Sequence, residues 1–259
     1  QLLQRHHIAL RQKYLASLET LAEWCTDHDL ATAAGTVRAA GDPAREDVVP
    51  TRALPSTVQP ALSPDLPANQ RHWQSQLRLL RSKQGLAVYR LSRRVLKAGF
   101  PSFAYDLVRE SAACAPDLTV TRRLLGQVRY GRDWLTPFAA SQRRKRYVQH
   151  KDFGWLPAKH VERYEQGERY FKRRWVSAAR ERELRKDFRN AWEVQTDHYL
   201  VRTNHSLEEG VALGKALEEF HRFFQSSFAA FFNSPEQMKR LFEGNIKRGR
   251  VTRPRPFIV

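Results

Sequence analysis

Residues 192–232 decide the fold, and they read WEVQTDHYLVRTNHSLEEGVALGKALEEFHRFFQSSFAAFF. Within them, residues 198–202 are rich in β-branched and aromatic side chains, which predicts a short β-strand. Ser206 precedes Glu209 by three positions, the spacing of a capping box at the start of an α-helix. From there to Phe231, apolar residues recur at helical spacing. This order predicts an α+β scaffold, because a strand and an amphipathic helix must each bury an apolar face.

The residues after this helix predict two more elements. Residues 234–245 open on Ser234 and predict a short capped helix. Phe257, Ile258 and Val259 are typical of the opening of another strand. A domain rarely ends on the first residues of a core strand, so we expect the chain to be a piece of a longer protein. These three residues would then be an unpaired edge where a partner docks by strand addition.

A repeated pattern precedes this region, over residues 126–191. Three similar segments lie about twenty residues apart, a period typical of small stacked units. Each has a strand-like run, a turn, a tryptophan beside an aliphatic residue, and then a helix start. We therefore predict three hairpin–helix units whose tryptophans each cover the start of their own helix, stacked because one unit buries little apolar area. The predicted structural core positions are Trp134, Trp155, Trp175 and Trp192.

The N-terminal half of the chain predicts helices interrupted by a proline-rich segment. Residues 1–40 carry an apolar stripe and predict one long helix or two stacked helices. Prolines recur through residues 41–67, which predicts a linker or a surface strap. Residues 68–125 predict a helical hairpin that resembles a single tetratricopeptide-like unit. With residues 126–191 and 192–259, these segments make a predominantly helical α+β chain.

The charge balance bears on possible partners. Lys and Arg number 45 against 27 Asp and Glu, so the net charge is +18 and the surface potential is positive. Such a surface attracts nucleic acid, anionic lipid or an acidic protein. Basic residues beside aromatic ones favour contacts with RNA or single-stranded DNA, whereas the regular tryptophan spacing favours core packing with the basic residues as solvated edges. The candidate contacts are Arg143, Arg144, Lys145, Arg146, Lys172, Arg173 and Arg174.

No catalytic motif is found in the sequence. It contains no H-E-x-x-H pair, P-loop, G-x-S-x-G or dinucleotide fingerprint. Asp197 and His198 are neighbours on the predicted strand and would face opposite sides, and His221 is interpreted as an interface residue. Cys25 and Cys114 are either bridged once or remain free thiols. No apolar run is long enough to span a bilayer. We therefore expect no enzyme activity and no cofactor in the chain as given.

Three segments carry a family resemblance when taken in order: LGQVRYGRDWLTP, FGWLPAKHVERYEQGERYFKRRWVS and TDHYLVRTNHSLEEGVALGKALEEFHRFF. They resemble the region preceding the catalytic part of an uncharacterised bacterial family, whose domain of unknown function is assigned to the MA clan of zinc metallopeptidases. The resemblance covers the chain closely from about Gly126 onward and more loosely over the helical part before it. In zincin-type folds the domain opens with a strand, a long helix and a second strand, and the zinc-binding helix follows. Residues 198–202, 206–232 and 257–259 match that opening.

The resemblance implies a function without assigning a catalytic residue. The zinc-binding helix is absent from this sequence, so no zinc ligand or catalytic glutamate is carried over, and zinc would be bound only by a missing C-terminal part. We expect a non-catalytic structural or partner-binding portion of a larger metallopeptidase-like protein. Its partner would be another protein or its own C-terminal continuation. The alternative is a basic nucleic-acid-binding module that uses residues 126–191.

Overall fold

The computed structural model describes residues 1–41, 54–232 and 257–259. The chain divides into two compact units, and their described parts are residues 1–41, 54–134 and 228–232 for the first unit, and residues 135–227 and 257–259 for the second. Helices dominate both the first unit and the described chain as a whole, and the strands form small sheets. The predicted class, predominantly helical α+β, is therefore confirmed. The short helix predicted over residues 234–245 lies outside the described residues.

Five helices lie wholly within the described residues of the first unit. Residues 1–40 form two helices, which is one of the two predicted arrangements. Both helices pack in one apolar cluster with the start of α3, and a second cluster joins α3, α4 and α5. The helices are α1 (Leu2–Asp27), α2 (Ala31–Ala39), α3 (Ala68–Lys97), α4 (Pro101–Cys114) and α5 (Thr119–Leu124).

The predicted helical hairpin corresponds to α3 and α4. Gly99 ends the first helix with φ +87°, a conformation that glycine adopts without steric cost. Further back, Gly85 allows the two helices to approach closely, because a Cβ atom there would lie 2.5 Å from the Cβ of Ala115. At the same crossing the Ser111 hydroxyl donates to the Gly85 carbonyl at 2.6 Å. A buried polar group is thus satisfied where the helices pack most tightly.

The described part of the proline-rich segment is a strap held by hydrogen bonds. Thr57 forms an antiparallel bridge with Asp133, and the Val58 N–H donates to the Arg132 carbonyl at 2.7 Å. The fully buried Arg122 donates to the Pro55 carbonyl at 2.8 Å. The strap therefore adds an extended segment beside the first hairpin of the chain.

Three hairpins followed by helices fill residues 126–191, as predicted. The second and third hairpins are antiparallel, with Tyr147 opposite Pro157 and Glu168 opposite Ser177. Ser177 also caps α8, because its hydroxyl oxygen accepts from the Arg180 N–H at 3.2 Å. The elements are β1 (Val128–Tyr130), β2 (Asp133–Leu135), α6 (Pro137–Arg144), β3 (Tyr147–His150), β4 (Gly154–Pro157), α7 (Val161–Glu165), β5 (Glu168–Phe171), β6 (Arg174–Ser177) and α8 (Ala178–Arg185).

The region that decides the fold forms a fourth hairpin and a long helix. The predicted strand is observed as β8 (Tyr199–Thr203), and α9 (Leu207–Phe232) follows it. A preceding strand, β7 (Trp192–Gln195), pairs antiparallel with β8 and was not predicted. The terminal strand β9 (Phe257–Ile258) is confirmed and pairs parallel with β8, so the sheet order is β7-β8-β9.

The tryptophan rings make contacts that the sequence did not predict. That each tryptophan covers the start of its own helix stays a prediction, and three of the rings contact the helix that precedes their hairpin. Trp155 packs edge-on against Phe138 of α6 at 6.1 Å, and Trp175 against Tyr164 of α7 at 6.1 Å. The Arg185 guanidinium of α8 lies 5.2 Å from the ring centroid of Trp192. A short connection thus folds these hairpins back onto the helix just completed, and α8 also packs on the hairpin before it, since its Arg185 guanidinium lies 5.0 Å from the ring centroid of Phe171.

Candidate functional site

A group of titratable side chains lies in the second unit where α9 passes the turn between β7 and β8. Glu218 of α9 accepts hydrogen bonds from three donors on that turn. The Thr196 hydroxyl donates at 2.6 Å, the His198 N–H at 2.7 Å, and the His198 imidazole lies at 2.8 Å through Nδ1. One carboxylate therefore joins the hairpin turn to the helix.

Two glycines allow the helix to approach that turn. Gly210, Gly214 and Glu218 are four residues apart along α9, so they lie on one helical face. A Cβ atom at Gly214 would lie 2.9 Å from the Thr196 methyl group, and one at Gly210 would lie 2.9 Å from the Thr203 methyl group. Larger side chains would hold the helix away and break the hydrogen bonds to Glu218.

A second histidine completes the group. His221 lies one turn beyond Glu218, and its ring stacks on His198 with centroids 3.8 Å apart and planes 20° apart. The Tyr199 ring meets His221 edge-on at 6.1 Å. Burial lowers the pKa of His221, and His198 lowers it further, while Glu218 acts in the opposite direction. The neutral form of His221 is thereby favoured beside the His198–Glu218 pair.

The electrostatics of Glu218 limit what the group can do chemically. Burial alone would raise the pKa of its carboxyl, but hydrogen bonds from His198 and Thr196 outweigh burial and lower the pKa to about 2. A general base or acid works best when its pKa lies near the working pH. This carboxylate is instead a permanent acceptor at neutral pH, so the arrangement suits holding the turn in place better than moving protons.

The acidic partner of His198 is not its neighbour in the sequence. Asp197 accepts a hydrogen bond from the Thr136 hydroxyl, whereas Glu218 pairs with His198. Twenty positions separate His198 from Glu218, so no local motif contains both, and sequence reasoning missed the pair. The signal that could have found it is the four-residue spacing of Gly210, Gly214 and the glutamate on one helical face.

Potential metal ligands do not cluster in the described ranges. In them, no group of three or more His, Cys, Asp or Glu side chains is placed to hold a metal ion. The imidazole planes of His198 and His221 are nearly parallel, so their in-plane nitrogen lone pairs do not converge on one point. Cys25 and Cys114 are both free, and burial raises the pKa of the Cys114 thiol to about 11.

The seven candidate nucleic-acid contacts fall into two groups at different ends of their hairpins. The first group comprises the last two residues of α6 and the two residues after it, at the base of the second hairpin, where the Ala158 N–H donates to the Arg146 carbonyl at 3.0 Å. The second is at the tip of the third hairpin, where Lys172 and Arg173 have φ of +43° and +69°. All seven are exposed, and none forms an ion pair with another described residue: Arg143, Arg144, Lys145, Arg146, Lys172, Arg173 and Arg174.

The aromatic rings near these basic groups are used in internal packing. The Arg163 guanidinium lies 3.9 Å from the ring centroid of Trp175, and His160 and Tyr170 surround the same ring at 4.9 and 5.1 Å. Trp134 is 3% exposed and donates its indole N–H to Asp117 at 3.0 Å. Base stacking would require free ring faces, so these contacts favour the interpretation of the tryptophans as structural.

The predicted cap of α9 is present in part. The Glu209 N–H donates to the Ser206 hydroxyl oxygen at 3.1 Å, as expected of an N-cap. The Glu209 carboxylate lies 2.8 Å from Nδ1 of His205, so it is turned toward that imidazole. Ser206 therefore caps the helix, while the glutamate pairs with the residue before the cap.

The last described residues lie at the edge of the three-stranded sheet. The Phe257 N–H donates to the His198 carbonyl at 2.6 Å, and the Val259 N–H donates to the Leu200 carbonyl at 3.0 Å. Backbone groups of alternate residues point to opposite sides of a strand, so those of Ile258 point away from β8. Its side chain is 73% exposed, and those of Phe257 and Val259 are exposed as well.

No protein-family model, curated protein or solved structure matches this chain. Among the described helices, none combines the length and the apolar character that crossing a membrane requires.

Proposed function

We propose that this chain is a non-catalytic structural or partner-binding portion of a larger metallopeptidase-like protein. The resemblance of residues 126–259 to the region before a zinc metallopeptidase domain supports the proposal. The order of β8, α9 and β9 agrees with the strand, helix and strand with which such a domain opens. The low pKa of Glu218 further supports a structural role, because it makes this carboxylate, which joins α9 to the β7–β8 turn, a poor proton shuttle at neutral pH.

The single observation that carries the proposal is the outer edge of β9. Ile258 directs an N–H and a carbonyl away from β8, and exposed strand edges of this kind are templates for pairing with another strand. Main-chain hydrogen bonds supply affinity in such β-augmentation, and alternate side chains supply specificity. The proposed occupant is a strand of the zinc-bearing part of the same metallopeptidase-like protein, whether covalently continuous with this chain or separate from it.

The test uses a substitution that removes one donor on the outer edge. Proline has no N–H, so Ile258→Pro deletes the outward donor and leaves the Phe257 and Val259 bonds to β8 in place. The chain, or its encoded extension, is purified under native conditions from its source, and the associated zinc is measured. We expect a zinc-bearing polypeptide to be retained by the wild type and by the control Ile258→Val, and to be lost or loosened in the proline variant.

Three outcomes would overturn the proposal. One is the recovery of the wild-type protein without any zinc-bearing polypeptide, covalent or bound. Another is equal retention by the proline and valine variants, which would place the contact elsewhere. A stoichiometric zinc ion bound by residues 1–259 alone would also contradict it, because it would make this portion itself the metal-binding part.

The second candidate function is a nucleic-acid-binding module. The observation in its favour is the exposure of seven basic residues without ion pairs to described residues, together with a net charge of +18. Phosphate contacts from Lys and Arg give affinity that falls steeply with salt. Absence of binding to RNA and DNA at low salt would remove this candidate.

A further inference from the structure

We infer that the outer face of α3 is a docking surface for an acidic amphipathic helix of a partner protein. This face lies in the first unit and does not depend on the function proposed for β9. α3 contains eight basic residues and no acidic residue over its 30 positions. The buried residues of the helix lie on the opposite side, where it packs against α1 and α4.

Three of the eight cations already have structural roles. Arg78 donates to the Pro60 carbonyl at 2.7 Å, and Arg81 donates to the carbonyls of Cys114 and Ala113 at 3.1 and 3.0 Å. Arg71 donates to carbonyls of the strap in the same way. These side chains fasten α3 to its neighbours, so they are not available for a partner.

The other five cations share one exposed face and have no ion pair within the described ranges. Successive helical residues are 100° apart, so these five positions fall within about 100° of one another around the helix axis. The last turn favours cations through the helix dipole, which accounts for two of them but not for those nearer the middle of the helix. The five are Lys83, Arg90, Arg93, Arg94 and Lys97.

Two leucines alternate with the cations on this face. Leu79 is 44% exposed and Leu86 is 36% exposed. Lys83 lies between the two leucines in the sequence, and Arg90 follows Leu86. Positions 79, 83, 86, 90, 93 and 97 alternate in steps of four and three, which is the spacing of a helix–helix seam. The exposed Phe100 continues the same series one step beyond α3. This seam is about 30 Å long at the helical rise per residue.

The mixture of apolar and cationic positions selects the partner. A phosphate backbone would leave the exposed leucines without a contact, and an anionic bilayer binds helices through a broad apolar face that this one lacks. An amphipathic helix whose apolar residues meet Leu79 and Leu86, and whose Glu or Asp side chains meet Lys83 and Arg90, matches both kinds of position. Charge complementarity of this kind fixes register and partner choice.

The test uses the full chain and a synthetic helical peptide of about 21 residues with Leu and Glu alternating along one face. A scrambled peptide of the same composition is the control ligand. We expect the patterned peptide to bind more tightly than the scrambled one, and its affinity to fall about tenfold for Arg90→Glu, since like charges meet in that variant. Leu86→Ala should lower the affinity about fivefold by removing an apolar contact.

A matched variant separates this face from the overall charge. Lys13 is an exposed cation on α1 without an ion pair among described residues, and Lys13→Glu should change the affinity less than about twofold, as expected for a rim charge. Equal effects of Lys13→Glu and Arg90→Glu would overturn the inference, as would tighter binding of an RNA oligonucleotide or of phosphatidylserine vesicles than of the peptide. Circular dichroism confirms folding, and Arg90→Gln repeats the test with a milder change.

Discussion

Glu218 accepts three hydrogen bonds from the β7–β8 turn, and these bonds make the stability of the protein depend on pH in the acid range. Its pKa is lowered from an ordinary value of 4.5 to about 2, so the folded state holds the carboxylate more tightly than the unfolded chain does. A group with a lowered folded pKa stabilises the protein above its unfolded pKa and loses that contribution as pH falls through the folded pKa. His221 acts in the same direction below pH 6.5, because its lowered pKa makes the unfolded chain take up a proton first.

We predict that Glu218→Gln lowers the free energy of unfolding at pH 7 by about 1–3 kcal/mol, the usual cost of breaking a hydrogen-bonded charge network. Between pH 4.5 and about pH 2 its stability should fall less steeply with pH than that of the wild type, because the titrating carboxyl is gone. Urea denaturation at several pH values measures both effects.

Glu219 provides the control for that measurement. It is the next residue on α9 and is exposed, so Glu219→Gln should change the free energy of unfolding by less than about 0.5 kcal/mol. If both variants lose the same stability, the Glu218 network contributes nothing specific.

The position of α9 against the β7–β8 hairpin depends on its glycines as much as on its apolar stripe. Val211 packs with Val194 and Val201 in the small core of the second unit, while Gly210 and Gly214 meet the hairpin through bare backbone. Glycine in a helix interior is less favourable than alanine by about 1 kcal/mol. The close approach to the hairpin offsets that cost.

We predict that Gly214→Val destabilises the protein by about 1–3 kcal/mol, because the new side chain overlaps the Thr196 methyl group and pushes the helix off the turn. Gly35 of α2 is the comparison, since no atom lies within 4 Å of a Cβ atom placed there. Gly35→Ala should raise stability by about 0.5–1 kcal/mol through helix propensity alone. Thermal unfolding of both variants measures these changes in stability. If Gly214→Val leaves the stability unchanged, α9 can shift to accommodate the new side chain.

The basic side chains behind the net charge of +18 have different roles. Arg122 and Arg169 are buried and hydrogen-bonded, so they act in folding. The basic residues at 143–146, where α6 ends, and at 172–174, at the tip of the third hairpin, are instead exposed. Only exposed and unpaired cations can release counterions from a polyanion, and the salt dependence of binding counts them.

If the chain binds RNA or DNA, removing one phosphate-binding cation should reduce the slope of log affinity against log salt by about one. We expect the double variant Lys172→Ser/Arg173→Ser, which removes two cations, to reduce the slope by about two and to bind more weakly than the wild type at low salt. Arg38 is paired with Glu19 at 2.7 Å, so Arg38→Gln should leave the slope unchanged. An unchanged slope in the double variant would exclude the hairpin tip from such an interface.

Much of the fold follows from local spacing in the sequence. Apolar periodicity predicts α1 to α4 and α9, and turn and cap residues predict the three tryptophan hairpins and the Ser206 cap. Strand β7 escaped prediction although Trp192 and Val194 alternate with polar residues, because four residues give a weak signal. The direction in which the tryptophans pack escaped as well, since spacing along the chain does not tell which neighbouring helix a side chain meets.

Most of the helices and strands, the Ser206 cap and the positive charge could be predicted from the sequence alone, because these depend on residues within a few positions of one another. Tertiary packing brings Glu218, and not Asp197, to His198, and it leaves five cations of α3 exposed on one face with two leucines. The pairing of Glu218 with His198 depends on how closely α9 approaches the β7–β8 turn. The composition of the exposed face of α3 depends on which side of that helix its neighbours cover. Both features therefore follow from packing between elements that are distant in the sequence.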